Sequence, residues 1–141
     1  MTGGDIKSLL PQRAPILMVD ALIDVNGEEA HTSFTIRPGN FFLGEDGRLE
    51  ASGLIEHIAQ SASAFAGYSA KLAGASEPPV GYIGEVKNFR CHFRPQAGDE
   101  LLTTIRQGAE AGGVVLISGE TRVRNEIVAE TQMKIFIRPD K

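Results

Sequence analysis

The side chains best placed to do chemistry are Glu56 and Gln60. They stand four residues apart in the one long stretch with helical hydrophobic spacing, 51–72, so they share a helix face that Ser63 and Gly67 continue. A carboxylate with an amide one turn on, along a largely apolar helix, suits proton transfer to a substrate lying on that face. The plainer alternative stays open: Glu56 at the solvent edge of an amphipathic helix, or near its start, where a negative charge favours the dipole. His57 adjoins Glu56 but points about 100° away around the helix, which predicts a structural role or a subunit contact. His31 alternates outward in its strand and His92 shares a face with Arg90 and Arg94, so both are expected at the surface. No set of His, Cys or carboxylates has metal-ligand spacing, and Ser52-Gly53 is not embedded in a nucleophile elbow. No metal or cofactor is expected.

The elements that position these residues follow from the pattern. Residues 5–10 predict a short helical turn stopped by Pro11. Residues 16–25 and 30–36 predict strands joined at Asn26-Gly27, a tight-hairpin pair. Ala30, Thr32, Phe34 and Ile36 share one face of the second. A loop over 41–50 leads into the helix, where Leu54, Ile58, Ala62, Phe65 and Ala66 recur at helical spacing among many Ala, Ser and Gly residues. A helix with so few bulky side chains can lie close against a sheet. After a turn at 74–79, strands are predicted at 80–93, 100–107, 114–124 and 127–137, with turns at 95–98, Gly112-Gly113 and Asn125-Glu126. Two strands, one long helix and four strands indicate an α+β domain with an antiparallel sheet packed on one helix.

Composition narrows the partners. The chain has 141 residues, 42% hydrophobic and 23% charged, which suits one globular core. A net charge of -4 and the absence of Trp disfavour nucleic acid. Cys91 is the single cysteine, so no internal disulfide can form, in keeping with a reducing compartment. Met1-Thr2-Gly3-Gly4-Asp5 has neither the basic region nor the apolar run of a secretory leader, and no apolar stretch nears the ~20 residues of a membrane helix. A cytoplasmic protein with no membrane partner is expected.

Three ordered segments carry a resemblance. Leu10-Pro11-Gln12-Arg13-Ala14-Pro15-Ile16-Leu17-Met18-Val19-Asp20 resembles an opening L-P-H-R-x-P-x-L-x-V-D, with Gln12 in place of His. Leu54-Ile55-Glu56-His57-Ile58-Ala59-Gln60 resembles L-I-x-E-A-x-A-Q. Phe93-Arg94-Pro95 with Gly98-Asp99 resembles F-x-R-P-x-x-P-G-D. These motifs belong to the β-hydroxyacyl-acyl-carrier-protein dehydratases of fatty-acid synthesis. The resemblance implies one hotdog domain over residues 1–141, a curved antiparallel sheet wrapped around a central helix. It implies Glu56 as the catalytic carboxylate, with the helix start at Ala51 and Ser52 supplying an N–H that polarises the thioester oxygen, and Gln60 at the substrate. It also implies acyl carrier protein or CoA thioesters as substrates, and a homodimer or a heterodimer with another hotdog protein. In the family a loop His, in F-F-x-G-H-F-P-G, takes the α-proton. Here the stretch reads Phe41-Phe42-Leu43-Gly44-Glu45-Asp46-Gly47, about three residues shorter, with Glu45 at the His position. In this the chain is similar to a His-lacking branch associated with aryl polyene-type pigment pathways.

Three functions follow from the resemblance. One is the Glu-bearing subunit of a heterodimeric 3-hydroxyacyl-thioester dehydratase. Another is a hotdog acyl thioesterase using Glu56 with Gln60 or Ser63. The third is a non-catalytic acyl-binding or scaffold protein. Asn88, Arg90, His92 and Arg94 form, by alternation, a basic row that is either solvated or set to meet the phosphopantetheine arm or the acidic surface of a carrier protein.

Overall fold

The small, apolar residues of 51–72 form one helix, α1 (Ala51–Leu72), and six strands pack around it in a computed structural model that describes residues 6–10, 12–74 and 80–138. The strands are β1 (Ala21–Asn26), β2 (Glu29–Thr35), β3 (Val80–Cys91), β4 (Glu100–Ala111), β5 (Val114–Val123) and β6 (Glu126–Arg138). They form one antiparallel sheet in the order β1-β2-β4-β5-β6-β3. This is the hotdog architecture. β1 and β3 are its edges.

The close approach predicted for α1 is visible at individual glycines. A Cβ on Gly67 would stand 2.2 Å from the Leu9 carbonyl oxygen, and one on Gly53 would stand 2.6 Å from the Phe42 Cβ. On the sheet side, Gly119 of β5 leaves room for Ile58, whose Cγ2 would lie 2.5 Å from an added Cβ. Leu54, Ile58 and Phe65 are buried, and so is the expected face of β2, Ala30, Thr32, Phe34 and Ile36.

Two hairpins turn on backbone handedness. Ala111 pairs with Val114 across Gly112-Gly113, both at positive φ, as the sequence predicts. Val123 pairs with Glu126, so that turn is Arg124-Asn125, one residue earlier than expected, with φ of 50 and 70. The Asn26 backbone is still paired with Glu29, which moves the first turn to Gly27-Glu28. The expected turn at 74–79 falls mostly on residues outside the described set, as do Asp5 and Pro11.

One strand is shorter than its sequence suggests. Residues 16–19 are apolar, yet β1 begins at Ala21. The Ile16 and Leu17 N–H groups bond back to the Arg13 carbonyl. The backbone of Met18 is taken by helix side chains: its N–H donates to Gln60 Oε1 at 2.7 Å, and its carbonyl accepts from His57 Nδ1 at 2.7 Å. Backbone groups so engaged cannot join a ladder.

Gly67→Ala and Gly119→Ala should each destabilise the protein by roughly 1–3 kcal/mol, because the added methyl meets backbone or a buried Ile side chain. Chemical denaturation measures this; unchanged midpoints would contradict the packing described.

Candidate functional site

Glu56 sits in the second turn of α1, half-buried, on the side facing β3 and β6. Its Oε2 accepts a hydrogen bond from Gln60 Nε2 at 2.8 Å. Gln60 is 1% exposed and is itself anchored: Nε2 also donates to the Ile16 carbonyl at 2.8 Å, and Oε1 takes the Met18 N–H. The i, i+4 pair expected from the sequence therefore forms, and the Gln60 amide fixes one carboxylate oxygen in place. Glu56, Gln60, Ala59 and Ser63 line a cavity of about 180 Å³. Ile83 of β3 and Ile135 of β6 close it from the sheet, and Gln12 from the N-terminal segment. The site thus opens beside an edge strand. Ala51 and Ser52 are exposed at the helix start and are not among the residues around this cavity. Glu50, the N-cap, makes no side-chain cap bond, and its carbonyl takes the N–H groups of Gly53 and Leu54. The N–H groups of Ala51 and Ser52 precede the first intrahelical bond.

The three histidines all lie away from Glu56. His57 is completely buried. The Met18 carbonyl can only accept, so Nδ1 carries the proton; neutral Nε2 then accepts from the Thr103 hydroxyl at 2.7 Å, and Thr103 accepts from Thr121 at 2.7 Å. Burial pushes the His57 pKa down to about 4, against smaller opposing effects of the Met18 carbonyl and Asp20. His57 is structural, as its direction around the helix predicts. His31 bridges Asp24 at 2.6 Å and Glu29 at 3.0 Å, and His92 meets Glu130 at 2.9 Å.

The expected basic row on β3 forms only in part. Asn88, Arg90 and His92 are exposed while Phe89, Cys91 and Phe93 pack on the core, as the alternation predicts, but Asn88 adopts a φ of 53 and the register with β6 shifts between Lys87 and Arg90. Arg90 is paired across strands with Glu130. Asn88 and Arg90 border a depression of about 440 Å³ on the outer sheet face with Glu29, Glu120 and Glu130. A second, of about 310 Å³, lies nearby around Leu116, Lys87 and Lys134. Both exceed the Glu56 cavity in size. The carboxylates of the first are taken up in ion pairs with His31, Arg106, Arg122 and His92, and the second has cations but no carboxylate, so the smaller cavity is the better candidate.

Arg94, the last member of that row, turns onto the loop that precedes α1. It donates to Asp46 at 2.8 and 3.0 Å, to Glu50 at 2.6 Å, and to the Arg48 and Leu49 carbonyls at 3.0 and 2.9 Å. The bond from Arg94 holds the Asp46 carboxyl below its ordinary range. Glu45, at the family's His position, is exposed in the same loop. The Gly98-Asp99 motif also has a physical role. Asp99 accepts from the Gln96 N–H at 3.0 Å and from Arg124 at 2.9 Å, which binds the 95–98 turn to the β5–β6 hairpin. Burial raises the Cys91 pKa, so its thiol stays protonated and is a poor nucleophile. Among the described residues, no group of three or more His, Cys, Asp or Glu could hold a metal ion, and no helix is long and apolar enough to cross a membrane.

Two outcomes follow. The unfolded chain protonates His57 near pH 6.5, the folded chain only near pH 4. Stability is therefore full above the first value and falls by roughly 3 kcal/mol as pH drops to the second. In His57→Gln this component should be missing, and parallel pH profiles for the two proteins would contradict it. Arg94→Lys loses the planar fork, so hydrogen exchange at Gly44 and Leu49 should quicken while that of the β4–β5 ladder is unchanged.

Comparison with known proteins agrees with this architecture and extends it. The solved dehydratase heterocomplex ApeI:P from Xenorhabdus doucetiae superposes with a TM-score of 0.87 at 20% identity, covering 96% of this chain and 91% of that one. The acetyl CoA-bound structure of smu.793 from Streptococcus mutans gives 0.69 at 10% identity, with 94% and 98% covered. At these identities they establish the fold. In sequence, the chain is 31% identical over 141 residues to the 3-hydroxyacyl-acyl-carrier-protein dehydratase FabZ of Syntrophotalea carbinolica, covering 96% of this chain and 93% of that protein. The Rhizobium etli FabZ is 27% identical over 143 residues, with 97% and 90% covered. The family model for ApeP-like proteins, described as ApeP dehydratase, matches residues 4–141. The chain therefore belongs to the ApeP-like dehydratase family.

Proposed function

We propose that this protein is the glutamate-bearing subunit of a two-chain dehydratase acting on 3-hydroxyacyl thioesters of an acyl carrier protein. The observation that carries the reading is Glu56, oriented by Gln60 on the wall of a cavity beside edge strand β3, with no histidine around that cavity. Dehydration removes a proton from the carbon next to the thioester carbonyl and expels the 3-hydroxyl as water, leaving a carbon–carbon double bond. Glu56, protonated, gives its proton to the departing hydroxyl. The base that takes the α-proton comes from the partner chain, as a histidine. Ala51 and Ser52 stand at the helix start outside the cavity, where their N–H groups and small side chains meet the thioester end of the substrate and polarise its oxygen as charge develops.

Several features support a partner at this edge. Among the described residues the outer side of β3 is unpaired, and Ile83 and Val86 of that strand are exposed at 39% and 37%. An exposed edge of this length is a template for pairing with another strand. The dehydratase that superposes best among the structures named above is a heterocomplex of two different chains. The resemblance to the His-lacking branch points to a polyene-type acyl chain as substrate, and the lone cysteine suits a cytoplasmic setting.

The test mixes the purified chain with a His-bearing hotdog homologue and follows loss of 3-hydroxyacyl carrier protein. Activity should need both chains, and Glu56→Gln should lower the rate by about a hundredfold or more without preventing complex formation. A Glu56→Gln mixture running at full rate would refute the assignment. Release of free thiol from acyl thioesters would instead mark a thioesterase, and ligand binding without turnover in any mixture would mark an acyl-binding protein.

A further inference from the structure

Gln12 is the one residue around the Glu56 cavity with a buried polar atom left without a hydrogen-bond partner, among the described residues: its Oε1 is out of contact with solvent and bonded to nothing. A buried carbonyl in that condition is destabilising and is uncommon in folded proteins. Gln60, the other amide at the cavity, has both donors and its oxygen engaged by Ile16, Glu56 and Met18. The unmet acceptor capacity is therefore concentrated at Gln12, beside the Glu56 carboxyl, on a wall otherwise formed by Ala59, Ser63, Ile83 and Ile135. An acceptor beside a carboxyl that gives up its proton calls for a hydroxyl on a largely apolar stem, which can donate to the one and accept from the other. The terminal torsion of an amide is broad, so the carbonyl can swing to meet it.

We infer that Gln12 is a specificity-determining residue of this cavity, whose amide oxygen accepts the hydrogen of the substrate's 3-hydroxyl while the hydroxyl oxygen faces Glu56. The inference rests on the cavity being the substrate site proposed above. The two contacts differ in kind. Glu56 addresses the oxygen that leaves, and Gln12 addresses the hydrogen already on it. After dehydration the acyl chain has no hydroxyl, so Gln12 loses its partner again. The site thus favours hydroxylated substrate over the unsaturated product.

The test compares binding of two N-acetylcysteamine thioesters of equal chain length, 3-hydroxyoctanoyl and trans-2-octenoyl, to the full chain and to Gln12→Met. Met matches the length of Gln and removes the acceptor. The wild-type chain should bind the hydroxyacyl probe more tightly, and Gln12→Met should weaken that probe by about tenfold while leaving the enoyl probe within about twofold. Its Tm without ligand should equal or exceed that of wild type, since an unpaired buried carbonyl has been removed. Equal weakening of both probes, weakening of neither, or a wild-type chain that binds neither overturns the inference. So does a lowered Tm in both Gln12→Met and Gln12→Leu, which would assign the residue to packing. The two proposals fail separately. Hydroxyl selectivity that depends on Gln12, in a chain whose Glu56→Gln variant keeps full turnover, overturns the catalytic reading alone. Loss of turnover in Glu56→Gln with selectivity unmoved by Gln12→Met overturns this one alone.

Discussion

His57, Gln60 and Ser61 follow one another on the buried side of α1 at 1% exposure or less, and polar groups at that depth are costly unless each finds a partner. Much of the surrounding structure meets that demand. His57 is held between the Met18 carbonyl and Thr103, Gln60 between Met18 and Ile16, and Ser61 against Thr32 at 2.7 Å. The helix is thereby clasped to β2, to β4 and to the segment before β1. The glycines at 53, 67 and 119 let it come close enough for those bonds to be made. Glu56 inherits its position from this arrangement, because the amide that holds its carboxylate is itself held by backbone that cannot move without breaking two further bonds.

The same clasp separates the polar residues into structural and functional sets. A neutral His57 with both nitrogens engaged has no proton to exchange with a ligand, so the histidine adjacent to Glu56 in sequence is not its catalytic partner. Arg94 likewise serves the scaffold. It gathers Asp46, Glu50 and two carbonyls, so the shortened loop before α1 is held by a guanidinium fork. That draws the Glu50 carboxylate toward Arg94 at the helix start. What remains around the cavity is a carboxylate, an unpaired amide oxygen, Ser63 and apolar side chains on a sheet edge. Such a set is what the proposed half of an acid–base pair requires, in a chain whose loop carries Glu45 where the family has a histidine.

Local rules made much of this legible. α1, the Gly112-Gly113 turn, the inward face of β2 and the Glu56–Gln60 pair follow from periodicity and from the φ that glycine permits. The errors have a common origin. Residues 16–20 have a strand's composition, yet their backbone groups are claimed by side chains about forty positions later. The row Asn88, Arg90, His92, Arg94 alternates in sequence, but Glu130 of β6 offsets its charge and Arg94 turns away to the loop before α1. Both outcomes depend on partners distant along the chain, which spacing does not encode.

By itself, the sequence determined the family, the element order and the carboxylate on the helix, because these rest on short-range spacing and on motifs whose order survives without coordinates. Only the tertiary structure decided which way the His57 proton points, that Arg94 faces the loop, and that Gln12 closes the Glu56 cavity with an oxygen left unpaired. Each of those is a question of which donor meets which acceptor across long sequence separations, and only packing the helix into the sheet answers it.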